Sequence, residues 1–135
     1  MAELPYHLTF TPPAPSLLGR ELVSLDPETH VVRLRFMARP EFANRHGAVH
    51  GGFIAAMLDS ATSTPVLASL PETLTSVTMR LETDFLKPAP LGELFAEGRI
   101  LERTDREAIS EGRLEAPDGT IVAIARARIR ILERR

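Results

Sequence analysis

HGGFIAAMLDSATSTPVLA, residues 50–68, is the stretch that decides the fold. Phe53, Ile54, Met57, Leu58 and Ala61 stand at i, i+1, i+4, i+5 and i+8, the spacing of one apolar stripe on an α-helix that begins near Gly51. Pro65 has no N–H to bond back to the carbonyl of Ala61, so the helix is expected to kink or end there. At about 100° per residue, Asp59 falls with Ala55, Ala56, Thr62 and Ser63 roughly 140° or more from the centre of the stripe. Asp59 is therefore not aimed at the core that Met57 serves, and the small neighbours on its face leave room for another backbone or a ligand.

Downstream of the helix, strand-like stretches are expected at 75–86, 91–103, 106–116 and 120–132. The last is the clearest: Ile121, Ala123, Ala125, Ala127, Ile129 and Ile131 share one face and Arg126, Arg128 and Arg130 the other. Lys87-Pro88-Ala89-Pro90-Leu91-Gly92, Thr104-Asp105 and Pro117-Asp118-Gly119 supply the turns. Upstream, the runs ELVSL and VVRLRF flank Asp26-Pro27-Glu28-Thr29-His30 and read as a hairpin. Residues 39–52 mix Pro, Asn, His and Gly without either period and read as a loop, while Pro5, Pro12, Pro13 and Pro15 make residues 1–19 an irregular N-terminal arm. Residues 20–135 then form a single α+β domain, one long helix laid on an antiparallel sheet.

Composition narrows the function. With 44% hydrophobic and 25% charged residues in 135, the chain has the balance of a folded globular domain. The start, MAELPYHLTFTPPAP, has neither the basic nor the apolar region of a signal peptide, and no apolar run reaches the length of a membrane span, so a cytoplasmic location with no membrane partner is expected. The absence of cysteine excludes a disulfide framework, a thiolate metal site and a cysteine nucleophile. A net charge of -2 without a dense basic run argues against nucleic acid as a partner. His7, His30 and His46 show no paired ligand spacing, so no metal is expected, and without G-x-G-x-x-G or a Walker motif no nucleotide cofactor is expected either.

The chemistry concentrates in Asn44-Arg45-His46-Gly47-Ala48-Val49-His50-Gly51-Gly52 and Asp59. A helix N-terminus carries unpaired N–H groups at the positive end of the dipole, and glycines there let an oxygen approach without meeting a Cβ. Asp59, eight residues beyond Gly51, is a candidate general base or nucleophile toward a carbonyl held at that terminus. Acyl transfer is the reaction class that such an arrangement suggests.

At this point the residues resemble a known family. HGGFIAAMLDSA is similar to the HGG-x6-D signature of the PaaI-type acyl-CoA thioesterases of the hotdog-fold superfamily, Asn44 lies six residues before His50 as in that family, and TMRLETDFLKPA (78–89) resembles its third-strand motif. The resemblance implies the hotdog fold, an antiparallel sheet wrapped around one long central helix. It also implies catalytic roles: Asp59 as the carboxylate that activates water or attacks the thioester, the Gly51 N–H as the group that polarises its carbonyl, and Asn44 and His50 as residues lining and bracing the site. Thr78 would orient the water, reaching the site from a partner subunit, with Ser76 as the fallback because Thr78 shares strand parity with Arg80, Glu82 and Asp84. Gly52, Ser63, Phe85 and Lys87 are candidates for substrate binding, and Phe53, Met57 and Phe85 for the pocket wall. The implied partners are a small-molecule acyl-CoA and a second copy of the chain, in a homodimer or a dimer of dimers with shared sites. No cofactor is implied, coenzyme A entering as part of the substrate.

Arg126, Arg128 and Arg130 read as a solvated strand face; they, or Lys87, Arg99, Arg103 and Arg106, are the candidates for holding coenzyme A phosphates. Three rival readings stand beside the thioesterase: a non-catalytic acyl-CoA binding module, against which Asp59 argues, a hotdog hydratase, which would need a histidine paired with an aspartate at the helix start, and a structural dimerisation domain.

Overall fold

Two-residue alternation and a single helical stripe generate the architecture of the computed structural model, which describes residues 10–135. Strands β1 (Glu21–Leu25), β2 (Val32–Ala38), β3 (Leu74–Phe85), β4 (Gly92–Arg103), β5 (Glu107–Glu115) and β6 (Ile121–Glu133) form one antiparallel sheet in the order β1-β2-β4-β5-β6-β3. A one-turn helix α1 (Pro13–Leu17) precedes the sheet, and the long helix α2 (Gly51–Ala68) packs on one of its faces against β2, β3, β4, β5 and β6. This is the hotdog arrangement: strand pair, helix, then four long strands that curl around the helix.

The strands β2, β4, β5 and β6 bury alternate residues under α2. Val32, Leu34, Phe36 and Ala38 of β2, Leu94 and Ala96 of β4, and Ala123, Ala127 and Ile129 of β6 form the inner layer, and Met57, Leu58 and Ala61 descend from the helix to meet them. Full burial of a side chain such as Leu58 or Met57 contributes about 1.5–3 kcal/mol. The layer is thin because its centre is built from small residues. At Gly98 of β4 the Ala61 carbonyl oxygen lies 1.7 Å from the position a Cβ would take, so helix backbone sits directly on strand backbone.

That close approach explains why Pro65 does not end the helix as expected. The proline is buried inside α2, which runs on to Ala68, and the Ala61 carbonyl deprived of its helical donor is received by the space over Gly98. Hydroxyls reinforce the same turn: Thr62 donates to the carbonyls of Leu58 (2.9 Å) and Asp59 (3.1 Å), and Thr64 to that of Ser60 (2.6 Å). Thr62 is fully buried, not on the open face with Asp59.

Two further expectations change. Residues 1–9 of the N-terminal arm lie outside the described residues, but 10–19 are not irregular throughout, since Pro13 and Pro15 fall in the first turn of α1, where a proline costs no hydrogen bond, and Leu18 is buried in the core. At the start of β6, Ile121 is exposed and Val122 buried, because a register shift at Leu114/Glu115 of β5 reverses the alternation there. The hairpin of β1 and β2 forms as read: Asp26 Oδ1 accepts from the N–H groups of Glu28 (2.8 Å) and Thr29 (3.2 Å), which hold its carboxyl below the usual carboxylate range.

Candidate active site

Asn44 organises the loop that leads into α2. Its Oδ1 accepts from His46 N–H at 2.8 Å and Ala48 N–H at 3.2 Å, while its backbone N–H donates to the Ala48 carbonyl at 2.7 Å. Gly47 completes this turn at φ 81°, a left-handed conformation suited to glycine. The loop is then pinned to its surroundings by Val49 N–H donating to the Ala89 carbonyl (3.0 Å) and His50 N–H donating to that of Phe42 (2.8 Å). The Lys87-Pro88-Ala89-Pro90 segment after β3 is thereby brought beside the start of the helix.

His50 is the N-cap of α2, its Nδ1 accepting from Gly52 N–H at 3.0 Å. An accepting Nδ1 carries no proton, so in the neutral ring Nε2 is the donor, and His50 as a residue is exposed. The Phe53 and Ile54 N–H groups close on the His50 carbonyl at 3.0 and 3.2 Å. Gly51 N–H has no acceptor among the described residues and is the open donor at the positive end of the helix. The two glycines are thus unequal, the Gly52 N–H being occupied by His50. Phe53 stacks on Phe42 with centroids 4.1 Å apart and is partly buried. Met57 is fully buried and belongs to the core, not to a pocket wall.

Asp59 lies two turns further on, half-buried, and Thr78 Oγ1 donates to its Oδ1 at 2.7 Å. Both residues belong to the same chain, which corrects the expectation that Thr78 arrives from a partner subunit. The device that places Thr78 is a bulge. Thr78 pairs with Ile129 and Arg80 with Arg128, so Met79 is an extra residue in β3 and the alternation reverses across it. Before the bulge, Ser76 and Thr78 stand opposite the inward-facing Ile131 and Ile129; after it, Leu81, Thr83 and Phe85 stand opposite Ala127, Ala125 and Ala123. Arg80, Glu82 and Asp84 consequently share no face with Thr78, and the parity objection disappears. Ser76 shares that face one pair further from the bulge, and the bond to Asp59 is made by Thr78. Ser63, one turn beyond Asp59, directs its Oγ to the Ser60 carbonyl at 3.3 Å.

The basic candidates separate by place. Arg99 pairs with Glu111 and Arg128 with Glu107, both on the outer face of the sheet with Arg126 and Arg130, on the side away from α2. Arg128 holds the Glu107 carboxyl below the usual range. Arg103 donates to Ser69 Oγ at the C-terminal end of the helix, and Arg106 follows in the next turn. Lys87 is the candidate at the N-terminal end, near enough to Asp118 to add to the lowering of its carboxyl, which the Thr120 N–H chiefly causes. A cavity of about 580 Å³ opens on the outer face between two charged rows, lined by Glu82, Arg126, Glu111 and Arg99 on one side and floored by Gly98 and Gly112. It contains none of the residues at the helix, so chemistry and cavity do not coincide, and the hydrogen-bonded Asp59 and Thr78 at the helix flank are the better guide to function.

Comparison with known proteins agrees with this fold. The model of the thioesterase superfamily matches residues 46–123, from the loop before α2 into β6. A phenylacetic acid degradation-related protein from Ralstonia eutropha JMP134 is 31% identical, superimposes with a TM-score of 0.86, and is matched over 92% of this chain and 96% of its own. A Bacillus halodurans protein whose structure was solved with CoA is 25% identical, with a TM-score of 0.79 over 93% of this chain and 80% of its own. A thioesterase from Haemophilus influenzae, 18% identical with a TM-score of 0.81 over 89% of this chain and 82% of its own, shares the fold. With the glycine-rich entry, the helix and strands β3 to β5 inside the matched region, the chain belongs to the thioesterase superfamily and has its hotdog fold.

Proposed function

We propose that this protein hydrolyses acyl-CoA thioesters to the free acid and coenzyme A. The observation that carries the reading is the 2.7 Å bond from Thr78 Oγ1 to Asp59 Oδ1, which leaves the second carboxylate oxygen to act on water at the flank of a helix whose N-terminus offers the Gly51 N–H. In the reaction, Asp59 takes a proton from water as the oxygen adds to the thioester carbonyl, the Gly51 N–H stabilises the oxyanion, and collapse breaks the C–S bond with the proton passing to the departing thiolate. Direct attack by Asp59, with hydrolysis of the resulting anhydride, needs the same residues. Exposed His50 and the Lys87 segment line the approach, with Lys87 supplying positive charge for the coenzyme A phosphates.

Eight residues of helix at 1.5 Å each place Gly51 about 12 Å from Asp59, too far for both to touch one carbonyl. A working site therefore combines Gly51, His50 and Asn44 of one copy with Asp59 and Thr78 of another, in a homodimer or a dimer of dimers. The twelve-residue β3 supports this, standing at the sheet edge with Val77, Met79 and Phe85 exposed.

Thiol release measured against a panel of acyl-CoAs tests the proposal. Wild type turns over at least one member, and Asp59→Asn loses about 10²-fold or more in kcat with its circular dichroism unchanged. Full kcat in Asp59→Asn would remove the carboxylate from the mechanism. A wild type that binds acyl-CoA tightly and releases no thiol would establish the binding module instead.

A further inference from the structure

Gly51 has a side-chain reason to be glycine besides the access it gives to its N–H. A Cβ built there would lie 3.3 Å from Cε1 and 3.5 Å from Cζ of Phe85, so the phenyl ring rests on the Gly51 Cα. Phe85, the last residue of β3, is 55% exposed, so it keeps open surface beside its contact with Gly51. The bulge at Met79 puts it there, since the same reversal that turns Thr78 toward Asp59 turns Phe85 toward the helix.

We propose that Phe85 is a specificity-determining residue that, seated on Gly51, limits how bulky a group stands on the carbon next to the thioester carbonyl; this rests on the thioesterase reading above. A carbonyl oxygen bound to the Gly51 N–H brings its adjacent atoms within a bond or two of the ring. Of the two substituents on that carbonyl, the acyl group is the apolar one, whereas the pantetheine arm carries amides that need partners. The open aromatic surface accordingly takes the acyl side. A straight chain slides along the ring, and a branch at the α-carbon strikes it.

An Ala at position 51 keeps the N–H and the helix, but its Cβ can act on the ring or on the approaching oxygen, so the double variant that also removes the ring separates the two effects. The test compares wild type, Gly51→Ala, Phe85→Ala, Phe85→Leu and the double variant Gly51→Ala/Phe85→Ala on butanoyl-CoA and 2-methylpropanoyl-CoA. Wild type is expected to prefer the straight chain, and Phe85→Ala to reduce that preference in kcat/KM about tenfold or more, within the range one methyl group commands in a fitted pocket. Phe85→Leu falls between. Gly51→Ala, which pushes the ring toward the substrate, lowers kcat/KM about tenfold, and adding Phe85→Ala restores most of it. An unchanged preference in both Phe85 variants, or losses in the double variant that simply multiply, overturns the inference while the thioesterase reading stands. Silence of the wild type on every thioester overturns that reading, and the specificity assignment with it.

Discussion

Thr78 gives the Asp59 carboxylate a charge-assisted hydrogen bond of 2.7 Å, and bonds to charged groups of this kind contribute about 1.5–3 kcal/mol. Thr78→Val keeps the shape and removes the hydroxyl, so kcat is expected to fall about 10- to 100-fold with KM little changed, while Thr78→Ser keeps most of the activity. Steady-state kinetics on one good substrate checks this, and equal kcat in the Val variant would show that the hydroxyl neither orients the carboxylate nor the water. At this scale the local sequence is highly informative. Asn44 and His50 act through bonds to residues two to four positions away, so their arrangement is written in their spacing. Thr78 is different, because one extra residue at Met79 decides which face its side chain takes, and no short window of residues shows whether a strand contains such an insertion.

The helix and the strands beneath it succeed as elements because glycine lets them touch. At Gly98 a Cβ would stand 1.7 Å from the Ala61 oxygen and 2.7 Å from its carbon, backbone atoms that cannot swing aside. Gly98→Ala should therefore lower stability by about 3 kcal/mol or more, at the upper end of what overpacking costs, with a shifted urea midpoint or failure to fold as the readout. Gly112→Ala, whose Cβ would meet the Thr62 methyl at 3.2 Å, should cost distinctly less. Equal midpoints for the two variants would refute the contact model. Pro65 teaches the same lesson from the other side: the chain carries a helix breaker, yet the helix continues, because tertiary packing against β4 and β5 outweighs the missing hydrogen bond.

For the molecule as a whole, the outer face of the sheet and the unpaired edge set the terms. Across β3, β6, β5 and β4 the row Glu82, Arg126, Glu111, Arg99 alternates in sign, and Arg113 and Arg33 each reach both Glu97 and Glu115. The exposed pairs among these contribute little stability, Glu115 being the one buried member, but alternation penalises a slipped register, which would place like charges opposite. Mixing experiments probe the assembly. Gly51→Pro deletes the N–H at a helix position that tolerates proline, and a heterodimer of it with Asp59→Asn retains one intact site, so roughly half the wild-type activity per heterodimer is expected. Asp59→Asn mixed with Thr78→Val should recover nothing beyond the Thr78→Val level, since both residues serve the same site from one chain. Recovery in the second mixture and none in the first, with heterodimers demonstrated, would reverse the assignment of residues to subunits. The amino-acid sequence by itself determined the six strands, the long helix, the order in which they occur and the glycine-rich helix entry, because periodicity and turn chemistry act over a few residues. Only the tertiary structure decided that the helix passes through Pro65, that Thr78 belongs with the Asp59 of its own chain, and that Gly51 lies beneath Phe85, because each depends on the register and approach of segments far apart in the chain.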